Sequence, residues 1–208
     1  MWEKQDIRYT LLCVTIVSGF GMVYIPLMPI FVGKIYEKTA IHLGWMMGMA
    51  GAGSLLGAVL LARKKHTDGL FKLLIKSTIF FSLSIILFAW IKNEYLAMLP
   101  LFIAGIFLTF IFSSANTFLQ CEAPERLRGR LMSIFIVTFF ALTPVGAIIG
   151  GGLSDLIGAP LTVTLFGSVC LLIGLLTYIK MKNINEADLD EKTIKHPTIP
   201  GFPTTFNQ

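Results

Sequence analysis

Residues 96–119 read LAMLPLFIAGIFLTFIFSSANTFL, a run of 24 residues without one charged side chain. A helix needs about 20 predominantly apolar residues to cross the hydrocarbon core of a bilayer. Five further apolar runs flank this one, at about 9–32, 43–62, 73–91, 131–152 and 160–179. Lipid offers no water to satisfy backbone N–H and C=O groups, so each run is read as a helix that satisfies its own. The expectation is an all-α membrane protein with six transmembrane helices in a bundle over 1–182. A polar, flexible cytoplasmic tail follows at 183–208, with Pro197, Pro200 and Pro203. The first run is too long for a secretory signal, and no small-residue cleavage site closes it.

Composition agrees. Of 208 residues 55% are hydrophobic and only 14% charged, where a soluble domain is nearer a quarter charged. Mean hydropathy is +0.76. A soluble enzyme, a disordered regulator and a nucleic-acid-binding domain are excluded. The net charge of +5 sets orientation instead. Lys and Arg lie thirteen on one side (the N-terminal arm, the second and fourth connections, the tail) against three on the other (Lys34, Lys38, Lys92). That asymmetry places both termini in the cytoplasm of a multi-pass protein of the inner membrane. Cys13, Cys121 and Cys170 form neither a disulfide framework nor a metal pattern. No metal, cofactor or catalytic motif is present. Ser54 after Gly53 has no intramembrane histidine to activate it.

The fourth run carries a polar stripe. Thr109, Ser113, Asn116 and Gln120 are spaced four, three and four residues, one face of a helix. Such groups are costly against lipid tails, so this face meets either protein or a water-filled cavity. Pro26 and Pro29 interrupt the first run and Pro144 the fifth, for packing or for gating. Gly44, Gly48, Gly51, Gly53–Gly57 and Gly146–Gly150 are expected at close helix contacts. No Asp, Glu or His lies in the middle of a span, so ion coupling would need a carrier elsewhere, most naturally in a second half.

Residues 122–133, EAPERLRGRLMS, resemble the cytoplasmic loop between the tenth and eleventh helices of major facilitator superfamily exporters. The branch resembled holds the enterobactin exporter and macrolide-efflux-like proteins. Residues 24–29, YIPLMP, with Leu43-Gly-Trp and the glycines to Gly57, resemble that branch's seventh and eighth helices. Gly151, Asp155 and Gly158 keep the spacing of a degraded copy of the superfamily's signature loop. Pro144-Val-Gly146 with Gly150-Gly151 is similar to its antiporter motif.

The resemblance covers about 8–180 and matches only a C-terminal six-helix half. It implies half of a major facilitator fold that exports a small amphipathic solute by alternating access, with a second six-helix half or a homodimer supplying the rest. The alternative is a truncated or accessory membrane subunit that transports nothing itself. Tyr24, Pro29, Thr109, Ser113 and Asn116 are the candidate cavity residues. Arg126, Arg128, Gly129 and Arg130 form the cytoplasmic loop motif, with Arg128 and Arg130 as either membrane anchors or a latch to Glu125 or helix-end carbonyls. No cofactor and no nucleic acid is expected. The lipid bilayer and a small-molecule solute are the expected partners.

Overall fold

The computed structural model describes residues 3–63, 69–122 and 125–195, with side chains described for 6–63, 69–121 and 126–181. Lys64 and Lys65 lie outside the described residues, as do Ala123, Pro124 and 196–208. Seven α-helices follow in order: α1 (Glu3–Gly19), α2 (Tyr24–Ile30), α3 (Ala40–Ala62), α4 (Leu70–Trp90), α5 (Glu94–Glu122), α6 (Glu125–Ile157) and α7 (Ala159–Lys195). No strand occurs among the described residues. Six segments are long and apolar enough to cross a membrane: Asp6–Ile35, Ala40–Ala62, Leu70–Trp90, Glu94–Cys121, Arg126–Ile157 and Ala159–Met181. The all-α, six-span fold class read from the sequence is the one observed.

Two details differ from the sequence reading. The proline-bearing first span is built in pieces: α1, a 3₁₀ turn at Gly21–Val23, α2, and a π-helical turn at Phe31–Ile35. Its break at Gly19–Val23 precedes both prolines. Pro144, by contrast, sits inside an unbroken α6. The last helix also runs on to Lys195, past the expected boundary at 182.

Glycine decides how closely the spans approach. A β-carbon on Gly53 would fall on the carbonyl of Phe102, and one on Gly105 on the carbonyl of Ala50, so α3 and α5 touch backbone to backbone. Ser54 Oγ donates to the Gly105 carbonyl at 3.2 Å, and Thr109 Oγ1 donates to the Ser54 carbonyl at 3.2 Å. Gly146 meets the Gly19 carbonyl in the same way, and Gly150 meets Val23, which docks α6 on the break in the first span. Gly44, Gly48 and Gly51 do not share this role, because they face open space. The central core is formed by the first span, α4, α5 and α7, with Phe31, Phe81 and Phe88 fully buried.

On the side opposite the N-terminus the ends are clasped. Lys38 Nζ lies 3.1 Å from Glu94 Oε1, Tyr36 Oη donates to the Ile91 carbonyl at 2.9 Å, and Trp90 Nε1 donates to Thr164 Oγ1 at 3.0 Å. Asn93 Oδ1 caps α5 by accepting from the Tyr95 and Leu96 amides. Burial, with Glu94 beside it, pushes the Tyr36 phenol up to about 12, so it remains a donor at any physiological pH. Gly158, at φ +87°, turns α6 into α7 in one residue. Only glycine adopts that backbone without strain, which accounts for the third member of the outer motif.

Gly105→Ala should cost about 2–3 kcal/mol of stability, because the new methyl collides with backbone and not with a side chain that can turn away. Gly48→Ala should leave the melting temperature in detergent unchanged. Equal melting temperatures for the two variants would refute the packing assignment.

Candidate functional site

Burial is uneven across the six spans. The first span and α4 bury more than half of their central residues, α3 buries 17% and the fifth span only 6%. The fifth span meets the first span at Thr143, Gly146 and Gly150, and Gly150 also meets Phe166 of α7. Between its N-terminal half and α5 lies a groove of about 320 Å³. From α5 come Phe112, Ser113 and Asn116. From α6 come Met132, Phe135, Ile136, Phe139 and Phe140. The rings pack edge to face: Phe112 and Phe139 have centroids 4.8 Å apart, and Phe139 and Phe140 5.2 Å apart. This is an apolar wall with two polar groups set into one side, the composition of a small-molecule site.

Those two polar groups are not equivalent. Asn116 Oδ1 accepts from Gln120 Nε2 at 2.9 Å. Asn116 keeps its two N–H donors and one further lone pair on that oxygen. No hydrogen bond links the Ser113 hydroxyl to any described residue. No groove-lining side chain among the described residues is charged.

The structure therefore brings together Ser113 and Asn116 and separates the other candidates from them. Thr109 belongs to the α3–α5 seam, where it also donates to the Gly105 carbonyl at 3.2 Å. Tyr24 is 3% exposed in the core, its ring 6.2 Å from Phe81. Pro29 is exposed on the first span. Arg126, Arg128, Gly129 and Arg130 are not in a loop: they form the first turns of α6, all exposed. Arg128 and Arg130 make no ion pair with a described side chain, and the Glu125 side chain of the latch alternative lies outside the described residues. Gly151 and Asp155 lie near the end of α6, with Asp155 exposed.

The aromatic wall on α6 was missed in the sequence reading. Its signal was available: Met132, Phe135, Ile136 and Phe139 fall at i, i+3, i+4 and i+7, one helix face. Also unforeseen, among the described residues, are the fully buried hydroxyls of Thr10, Ser18, Ser77 and Ser114, which have no described hydrogen-bond partner. A second hollow, about 380 Å³, runs over Ile41, Gly44, Trp45, Gly48 and Met49 on α3. Among its described lining residues the one polar side-chain group is the Trp45 indole N–H, and its glycine floor suits helix packing.

A cysteine placed at Ser113 or Asn116, with Cys121 replaced by serine, should react with a water-soluble maleimide about tenfold faster than one at the membrane-level position Leu172. Equal rates would show that the groove is sealed by lipid.

Comparison with known proteins gives a consistent answer. Residues 3–204 match the family described as transmembrane secretion effector. The chain is 23% identical over 194 residues to the multidrug efflux pump Tap of Mycolicibacterium fortuitum, covering 92% of this chain and 46% of that pump. It is 21% identical over 196 residues to an uncharacterized MFS-type transporter of Methanocaldococcus jannaschii, covering 92% of this chain and 50% of that protein. The chain thus spans about half the length of the curated relatives it matches.

Proposed function

Because the chain belongs to the MFS family of transmembrane secretion effectors, we propose that it is the C-terminal-type half of an exporter for a small amphipathic solute. It is a multi-pass membrane protein of a transporter family. In the proposed reading it lies in the inner membrane with both termini cytoplasmic, an orientation supported by the charge asymmetry of its connections. The observation that carries the reading is the groove between α5 and α6. It joins an aromatic wall to free donors on Ser113 and Asn116, and it lies on the span least covered by the rest of the bundle.

A second six-helix unit completes this proposal. The two least buried spans expose large apolar side chains, among them Trp45 on α3 and Ile148 on α6. Large exposed apolar patches mark surfaces that meet lipid or protein. A half-length match and two under-covered helices support a partner at that face, either another half or a second copy. Alternating access then follows from two halves rocking about a site between them. The competing reading, a membrane subunit that transports nothing itself, is favoured by the lack of Asp, Glu or His in mid-span.

Mass measurement in nanodiscs should give twice the 23.0 kDa chain mass, or a stable complex with a second six-helix chain. Membrane vesicles holding that assembly should move an amphipathic dye, and Asn116→Leu should slow the movement several-fold through the lost donor. A monomer that moves no dye would leave the non-transporting subunit as the reading.

A further inference from the structure

The groove is graded along its length. α5 runs toward the connection with α6 and α6 runs back from it, so the two helices form an antiparallel hairpin. At the connection end stand Gln120 and Asn116 on α5, with Arg128 on α6. Arg128 precedes Met132 by four residues, Phe135 by seven and Phe139 by eleven, so it shares the face of α6 that walls the groove. At 1.5 Å per residue, the distance from Arg128 to Phe139 is about 16 Å.

We propose that this groove selects solutes by a negatively charged, acceptor-bearing headgroup attached to a ring-containing apolar body. The inference rests on the transport reading above and names the substrate class of the same site. Three observations carry it. The polar wall carries the N–H donors of Asn116 and the hydroxyl of Ser113, which can donate to an acceptor-bearing headgroup. Arg128 is exposed near the connection end of α6, on the face that walls the groove, where a guanidinium can pair with a carboxylate, sulfonate or phosphate oxygen. Among the described residues no carboxylate lines the groove to attract a cation.

The body of the solute meets Phe135 and the edge-to-face pair Phe112 and Phe139, rings that accept a flat apolar surface. Phenylalanine faces also attract cations, but more weakly than tryptophan, and a cation at the mouth meets the like charge of Arg128. An amphipath therefore enters with its headgroup at the arginine end and its rings toward the membrane centre.

The test is equilibrium binding of three matched probes to the full chain in nanodiscs, with empty discs subtracted: 9-anthracenecarboxylate, 9-anthracenemethanol and protonated 9-(aminomethyl)anthracene. The carboxylate should bind about tenfold more tightly than the ammonium. R128Q should remove the carboxylate's advantage over the alcohol, and R128K should retain most of it. F139A should weaken all three while leaving their ranking intact, which separates the body from the headgroup. Ammonium binding as tight as carboxylate binding would overturn the proposal. So would an advantage that survives R128Q, or the absence of any binding above empty discs. An arginine-dependent carboxylate preference without movement of the probe across vesicles would sustain this inference and remove the transport reading. Movement without the preference would do the reverse.

Discussion

Contact between helix backbones at glycine is the interaction on which this bundle depends. Lipid tails are as apolar as leucine, so no hydrophobic force draws one span to another, and close packing must do it. Gly53 against Phe102, Gly105 against Ala50 and Gly146 against Gly19 let α3 meet α5 and α6 meet the first span at main-chain distance. Hydroxyls of Ser54 and Thr109 add hydrogen bonds at the first of these seams. Everything else in the fold is arranged around helices held at those spacings.

The same constraint creates the groove. The fifth span is anchored at Gly146 and Gly150, in its second half, and Thr143 reaches Met22 nearby. Its first half has no glycine contacts of that kind; bulky Phe135, Phe139 and Phe140 pack there through their rings and leave the groove beside α5. Small residues at one end and large ones at the other make a helix pair that is closed at one level and open at the next. The clasp on the opposite side, Lys38 with Glu94 and Tyr36 with Ile91, ties the start of α5 to the first span. The groove therefore lies in the half of the pair nearer the connection of α5 with α6.

Much of this was legible before any coordinates. The six apolar runs and their lengths appear almost unchanged as helices, because a segment in lipid must satisfy its own backbone. The glycine pairs Gly53–Gly57 and Gly146–Gly150 were correctly placed at close contacts. Periodicity on α5 also grouped Ser113 with Asn116. It grouped Thr109 with them too, yet Thr109 is spent on the α3 seam, because a stripe longer than one neighbour serves two. Tyr24 could not be sorted by pattern, since a tyrosine in a core and a tyrosine in a cavity occupy the same kind of position in a span.

The sequence by itself determined the fold class, the number of spans, the charge asymmetry of the connections and the resemblance that led to the family. These follow from composition and one-dimensional spacing, which govern how each segment partitions into lipid. Only the tertiary structure decided which face of each helix is covered, that Gly44, Gly48 and Gly51 look outward while Gly53 does not, and that Asn116 faces an aromatic wall contributed by another span. The reason is physical. Burial in lipid is specified residue by residue along a chain, but a pocket is the gap left between two helices, and its size depends on where each of them is anchored to a third.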